Sequence, residues 1–108
     1  MVDRSAFYSD EQWARFMAGA EGKETPFIVV DLGIVKANYL RLAESFPFAK
    51  QYYAVKANPA PEVISLLRDL GSNFDIASRW ELDKVLALGI DPSRSEERRV
   101  GKECRSRW

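Results

Sequence analysis

Two periods of apolar residues alternate along the chain, and together they predict helices that alternate with strands. A first helix is predicted from Ser9 to about Gly22, because Ser9 and Gln12 have the spacing of a capping box. Its apolar residues follow the i, i+3, i+4, i+7 spacing of one helix face: Trp13, Phe16, Met17 and Ala20. We interpret this aromatic stripe as a packing face.

The middle of the chain predicts one strand and a second helix. The short apolar run 27–30 (FIVV) favours a strand. Asp31 is a suitable N-cap for a helix over about 32–46, which Pro47 ends. The residues spaced for a buried face of this helix are Val35, Tyr39, Leu42 and Phe46.

Two further strand–helix pairs follow. Residues 50–56 (KQYYAVK) favour a strand whose alternation places Tyr52, Ala54 and Lys56 on one face. A helix over about 61–70 follows, and Gly71 ends it. Residues 73–77 predict another strand, and Ser78 with Glu81 predicts a second capping box for a helix that ends near Gly89. No strand is predicted after Ser93.

Repeated strand–helix pairs indicate a parallel α/β fold. The 108 residues are too few to close a (β/α)₈ barrel, which needs about 250 residues. We therefore expect the chain to be the first part of a larger barrel and to fold poorly alone, because its parallel strands would keep open edges.

The composition excludes several kinds of chemistry. The chain contains no histidine, so it cannot hold a Ser-His-Asp triad or a histidine-ligated zinc ion. A single cysteine excludes an internal disulfide. Without an apolar run long enough for a membrane span or a signal peptide, we expect a cytoplasmic location.

The balance of 16 basic and 16 acidic residues hides a break in charge. Residues 94–108 (RSEERRVGKECRSRW) contain six basic and three acidic residues, and residues 1–93 contain the other ten basic and thirteen acidic ones. Interrupting glutamates and the lack of interleaved aromatic residues argue against nucleic-acid binding. We interpret 94–108 as a separate segment.

Lys56 is the candidate reactive residue. In parallel α/β proteins the carboxyl ends of the strands carry the active site, and Lys56 ends a predicted strand. Neighbouring strand ends would partly desolvate its amine, and a neutral amine can form a Schiff base with an aldehyde. A solvated lysine is the ordinary alternative at such a position.

Four segments, in order, resemble one enzyme family. Residues 53–59 (YAVKANP) resemble the pyridoxal-phosphate lysine motif of the fold-type III decarboxylases, a family that includes ornithine, lysine, arginine and diaminopimelate decarboxylases. The other three matches are 25–32 (TPFIVVDL), 71–82 (GSNFDIASRWEL) and 88–92 (LGIDP). The stretch is most similar to the bacterial ornithine or ornithine/lysine decarboxylases.

The resemblance implies a fold and a cofactor. It implies the N-terminal portion of an alanine racemase-like (β/α)₈ barrel, with residues 1–46 leading into two barrel strand–helix units over 47–93. The complete protein would also have a C-terminal β domain, would form a homodimer, and would lack nucleic-acid and membrane partners. Strand 27–30 belongs with that β domain in the family and would lack its partners here. Pyridoxal phosphate would be held by Lys56.

The resemblance also implies the roles of the site residues. Lys56, Asp75 and Glu81 would be catalytic, and Lys56, Ala54 and Asp75 would contact the cofactor, with no metal. Asp75 is otherwise an ordinary loop aspartate, and the capping box alone would explain Glu81. The reaction would convert ornithine to putrescine, or lysine to cadaverine, in polyamine synthesis.

Several alternatives stay open. Diaminopimelate decarboxylase, carboxynorspermidine decarboxylase, a non-catalytic regulatory homologue and the small barrel class that resembles alanine racemase all share part of the pattern. The substrate is not determined by these residues. Because residues 94–108 do not resemble the family, we interpret them as a vector or adapter junction, and we expect the 108-residue chain alone to be inactive.

Overall fold

The computed structural model describes residues 3–96, which divide into two compact units between Val30 and Asp31. The first unit contains a 3₁₀ turn at Arg4–Ala6 and helix α1 at Asp10–Ala20. The capping box predicted for Ser9 and Gln12 is present in both directions. Phe16 of the aromatic stripe meets Tyr8, which precedes α1, edge to face with 5.0 Å between the ring centres. The stripe is not covered among the described residues: no residue of α1 is buried, and Met17 is 55% exposed.

Residues 27–30 do not form the predicted strand. A strand needs a partner for its backbone hydrogen bonds, and residues 3–96 provide none for this segment. Its apolar side chains are therefore exposed, most of all Ile28 at 90%. The apolar composition of residues 27–30 favours a strand, but a strand also needs a neighbouring strand with which to pair.

The second unit is built on a parallel sheet with three short strands. The strands are β1 at Tyr52–Ala54, β2 at Asn73–Asp75 and β3 at Ser95–Glu96, in the spatial order β1-β2-β3. Both strand pairs are parallel. The predicted alternation of strands and helices is confirmed. Strands β1 and β2 are shorter than the strands predicted over 50–56 and 73–77.

Three helices accompany this sheet. They are α2 at Leu32–Ser45, α3 at Pro61–Asp69 and α4 at Arg79–Ala87. Asp31 caps α2 through the backbone N–H groups of Gly33 and Ile34, as predicted. Gly71 and Gly89 follow α3 and α4 with φ of +91° and +73°, the left-handed conformation that favours glycine after a helix. None of the helices within residues 3–96 is long and apolar enough to cross a membrane.

The core lies where α3 and α4 cover the sheet. Its buried residues are Val55, Val63, Ile64, Leu67, Phe74, Ile76, Val85 and Ile90. Val35 and Tyr39 of α2 pack against this core, but Leu42 and Phe46 are each 47% exposed, so only half of the predicted buried face of α2 is covered. The helical spacing identified the face correctly but not how far along the helix the sheet extends.

Strand β3 corrects the expectation that no strand follows Ser93. Ser95 and Glu96 pair with Phe74 and Asp75, and the backbone N–H of Ile76 donates to the carbonyl of Glu96 at 2.9 Å. Two residues are too few for alternation to be visible in the sequence. The boundary placed at residue 94 stays a prediction, and residues 97–108 lie outside the described part of the chain.

Two arginines join the loops at the amino-terminal ends of the strands. The Arg94 guanidinium donates to the carbonyl of Arg68 at 2.9 Å and to that of Ser72 at 2.6 Å. Arg68 in turn donates to the carbonyl of Leu88 at 2.6 Å. These bonds add a charged donor to carbonyl groups at or just after the carboxyl ends of α3 and α4. The Arg68 carbonyl also accepts from the backbone N–H of Gly71 at 3.0 Å.

We predict that Arg94→Ala lowers the free energy of unfolding by about 1.5–3 kcal/mol, because it leaves two partly buried carbonyls without their charged donor. Chemical denaturation of the protein measures the change. Arg79→Ala is the matched control, since within residues 3–96 Arg79 makes only an exposed contact with Asp83, and its loss should cost less than about 0.5 kcal/mol. Equal effects of the two substitutions would contradict the prediction.

Candidate active site

Lys56 lies on a turn rather than on a strand. Strand β1 ends at Ala54, and Val55–Ala57 forms a single 3₁₀ turn. The expected sharing of one strand face by Tyr52, Ala54 and Lys56 is therefore wrong for Lys56. Val55 is fully buried and anchors the turn, while Lys56 is exposed. The expected desolvation of Lys56 does not occur among the described residues, because none of them encloses its side chain.

Ala54 and Asp75 are brought together by the register of the sheet. The two residues pair directly at the carboxyl ends of β1 and β2. Asp75 is exposed there, and Lys56 follows Ala54 by two residues. No ion pair within 4.0 Å joins Lys56 to Asp75 in residues 3–96. The sheet thus places the amine and the carboxylate at the same edge without direct contact.

Glu81 is almost completely buried at the start of α4, with an exposed fraction of 7%. Its carboxylate accepts a hydrogen bond from the backbone N–H of Ala77 at 2.8 Å, and its own N–H donates to the Ser78 hydroxyl at 3.2 Å. The predicted capping box is therefore only half formed, because the Glu81 carboxylate accepts from the N–H of Ala77 instead of the N–H of the N-cap residue Ser78. Glu81 holds the loop that joins Asp75 to α4.

A hydrogen bond between Tyr53 and Asn58 was not predicted from the sequence. The Tyr53 hydroxyl donates to the carbonyl of Asn58 at 3.0 Å, across the turn that carries Lys56. Burial raises the pKa of Tyr53 above its ordinary value of 10.0. The sequence signal for this contact was a tyrosine three residues before Lys56 and an asparagine two residues after it.

An open cavity of about 390 Å³ lies between α2 and β1. Val35, Tyr39 and Leu42 line it from α2, and Tyr53 and Ala54 line it from β1. Lys56 and Asp75 do not line this cavity, but Ala57, which follows Lys56 in the turn, does. The cavity therefore borders the strand end beside which the two charged residues lie.

The residues at the strand ends fit pyridoxal phosphate. The cofactor needs a primary amine that its aldehyde can reach, and the exposed amine of Lys56 is accessible. Ala54 pairs with Asp75 and lies two residues before Lys56. Its methyl group is the smallest side chain that a chiral residue can have, which leaves space at the strand end. Within residues 3–96 no cluster of metal-ligating side chains competes for the site.

Comparison with known families supports this assignment of class. The family described as "Pyridoxal-dependent decarboxylase, pyridoxal binding domain" matches residues 32–103. The chain belongs to this family of pyridoxal-dependent decarboxylases. The match extends beyond residue 94, where the charge pattern had placed a boundary.

Curated relatives narrow the comparison. The chain is 47% identical over 73 residues to ornithine decarboxylase from Saccharomyces cerevisiae, covering 68% of this chain and 16% of that protein. It is 48% identical over 69 residues to lysine/ornithine decarboxylase from Selenomonas ruminantium, covering 64% of this chain and 18% of that protein. The chain thus spans less than a fifth of the length of these relatives.

Solved structures agree with the fold. Lysine decarboxylase from Selenomonas ruminantium superposes with a TM-score of 0.71 and 40% identity, over 82% of this chain and 23% of that one. Lysine/ornithine decarboxylase from Vibrio vulnificus, complexed with cadaverine, gives 0.77 at 26% identity, over 82% and 24%. The expected fold class, the N-terminal portion of an alanine racemase-like (β/α)₈ barrel, is confirmed, as is the resemblance to the fold-type III decarboxylases.

The raised pKa of Tyr53 predicts a loss of stability at high pH. The neutral phenol is favoured in the folded state, so the stabilisation is complete below the unfolded pKa of 10.0. It declines as the pH rises above that value towards the folded pKa. Denaturation of wild type and Tyr53→Phe between pH 8 and pH 11 should therefore show a steeper decline for wild type. Tyr52→Phe is the control, and a wild-type slope that Tyr53→Phe leaves unchanged would contradict the assignment.

Proposed function

We propose that the chain is part of a pyridoxal-phosphate-dependent decarboxylase that converts ornithine to putrescine or lysine to cadaverine. The observation that carries the proposal is the placement of Lys56 on the turn directly after β1, beside the end of β2. The family match and the names of the relatives support the same activity. The alternatives are diaminopimelate or carboxynorspermidine decarboxylation and a non-catalytic regulatory role.

Lys56 is proposed to hold the cofactor and to move a proton. Its Nζ amine, accessible on the exposed turn, would hold the cofactor through the cofactor's aldehyde. When bound, pyridoxal phosphate would supply an electron sink for the electron pair left when carbon dioxide departs. When it is not holding the cofactor, the Lys56 amine would serve to move a proton.

Asp75, Ala54 and Glu81 are proposed to assist Lys56 in different ways. The exposed carboxylate of Asp75 supplies negative charge at the same strand ends, which attracts the protonated Nζ of Lys56. Ala54 leaves room for the cofactor ring. Glu81 is better described as a positioning residue, because its buried carboxylate is engaged with the Ala77 N–H and fixes the loop that follows Asp75.

The proposed setting of the enzyme rests on the same resemblance. We propose that it acts in the cytoplasm as a homodimer whose small-molecule partner is a basic amino acid. Cadaverine and putrescine are the ligands named for two structures of the Vibrio vulnificus enzyme. The excess of acidic residues in 1–93 supports the absence of a nucleic-acid partner. No membrane partner is proposed.

We predict that Lys56→Ala abolishes covalent attachment of pyridoxal phosphate. The protein encoded by the complete source gene would be incubated with the cofactor, reduced with borohydride and digested, and the modified peptide located by mass spectrometry. The label should lie on Lys56, and decarboxylation by the variant should fall by roughly 10²- to 10⁴-fold.

Lys50→Ala is the matched control, because Lys50 is also exposed and lies just before β1. This variant should retain both the label and the activity. A label on another lysine would contradict the role of Lys56. Wild-type protein that takes up no label would favour the regulatory alternative.

We predict that the protein acts on ornithine or lysine. Ornithine, lysine and diaminopimelate would be supplied separately to the same protein, and the amines produced would be separated and quantified. Putrescine from ornithine, cadaverine from lysine, or both should accumulate above the level of the Lys56→Ala variant. Diaminopimelate should give no product, and its preferred decarboxylation would overturn the assignment.

A further inference from the structure

The turn that carries Lys56 is fixed at both of its ends. At its beginning, Val55 is completely buried in the core of the second unit. At its end, the carbonyl of Asn58 accepts the hydrogen bond from the Tyr53 hydroxyl at 3.0 Å, which we call the Tyr53–Asn58 bond. Lys56 therefore lies between an apolar anchor and a polar one.

A second hydrogen bond at Asn58 restrains the backbone at the polar end of the turn. The Asn58 side-chain oxygen accepts a hydrogen bond from the backbone N–H of Ala60 at 3.1 Å. Pro59 and Pro61 flank Ala60, and each proline ring restricts its own φ angle. The backbone that leads from the turn into α3 is consequently stiff, and the Tyr53–Asn58 bond connects this stiff segment back to β1.

The Tyr53 ring has its own support. Tyr53 packs against the core, on the side of the sheet where the cavity beside α2 lies. Its hydroxyl is a protonated donor at neutral pH, because even the ordinary pKa of tyrosine, 10.0, lies far above 7 and burial raises the pKa further. The donor of the bond is thus held in place independently of the turn.

We propose that Tyr53 is a positioning residue for Lys56, and that its hydroxyl sets the turn in the orientation from which the Lys56 amine attacks the cofactor aldehyde. The proposal rests on the proposed function, in which Lys56 holds pyridoxal phosphate. Tyr53 acts through the turn, and it touches neither the cofactor nor the substrate in this role. A turn released at one end samples more orientations, which lowers the fraction of time the amine is correctly placed.

The test compares Tyr53→Phe with Tyr52→Phe in the protein encoded by the complete source gene. Tyr53→Phe keeps the packed ring and removes only the hydroxyl. Tyr52→Phe makes the same chemical change in the neighbouring residue, whose hydroxyl makes no hydrogen bond within the described residues and which is 44% exposed. The matched pair separates the bond itself from the general loss of a phenol group.

Three measurements distinguish a positioning role from a structural one. Tyr53→Phe should weaken cofactor binding and slow covalent labelling of Lys56, each by about 3- to 10-fold, the range for one lost hydrogen bond. It should lower kcat while leaving KM for the amino acid unchanged. Amide hydrogen exchange over residues 55–60 should become faster, with little change in the exchange of α4.

Each outcome decides one of the two claims. Equal labelling rates and equal exchange in the two variants would overturn the positioning role while leaving the proposed function intact. If wild-type protein takes up no label at Lys56, the proposed function fails. In that case, faster exchange in Tyr53→Phe but not in Tyr52→Phe would show that the bond restrains the turn, and the positioning role in cofactor attachment would be overturned. A uniform loss of thermal stability with unchanged labelling would assign Tyr53 a structural role only.

Discussion

Strand β2 is paired on both edges, and the rest of the second unit depends on that pairing. Phe74 within the strand and Ile76 just after it are fully buried, and the Ile76 N–H bonds to the carbonyl of Glu96. Parallel partners require helical connections, so α3 and α4 are placed by the need to join β1, β2 and β3 in the same direction. The same constraint aligns Ala54 with Asp75 and so defines where a site can form.

Local chemistry made the helices predictable. Ser9 and Asp31 cap α1 and α2 through contacts with residues two or three positions ahead, which a sequence displays directly. Gly71 and Gly89 mark the helix ends because other residues rarely adopt their backbone conformation. Lys56 was identified in the same way, since its motif is contiguous in the sequence.

Features that depend on a neighbour were not predictable. The apolar run 27–30 and the pair Ser95–Glu96 show opposite errors: the first has a strand composition without a partner among the described residues, and the second has a partner without a strand composition. The end of β1 at Ala54, where a 3₁₀ turn begins with the buried Val55, was also missed. The Tyr53 hydroxyl and the Glu81 carboxylate found backbone partners that only the folded chain defines.

The two prolines beside the Lys56 turn have a consequence for anion recognition. Proline lacks a backbone N–H, so residues 59–61 have a single main-chain donor, the N–H of Ala60, and Asn58 already accepts it. Anion sites at the starts of helices depend on free main-chain donors. Residues 59–61 therefore offer no free main-chain donor to a phosphate group, and the first backbone N–H of α3 beyond Ala60 is that of Glu62, whose own side chain is acidic.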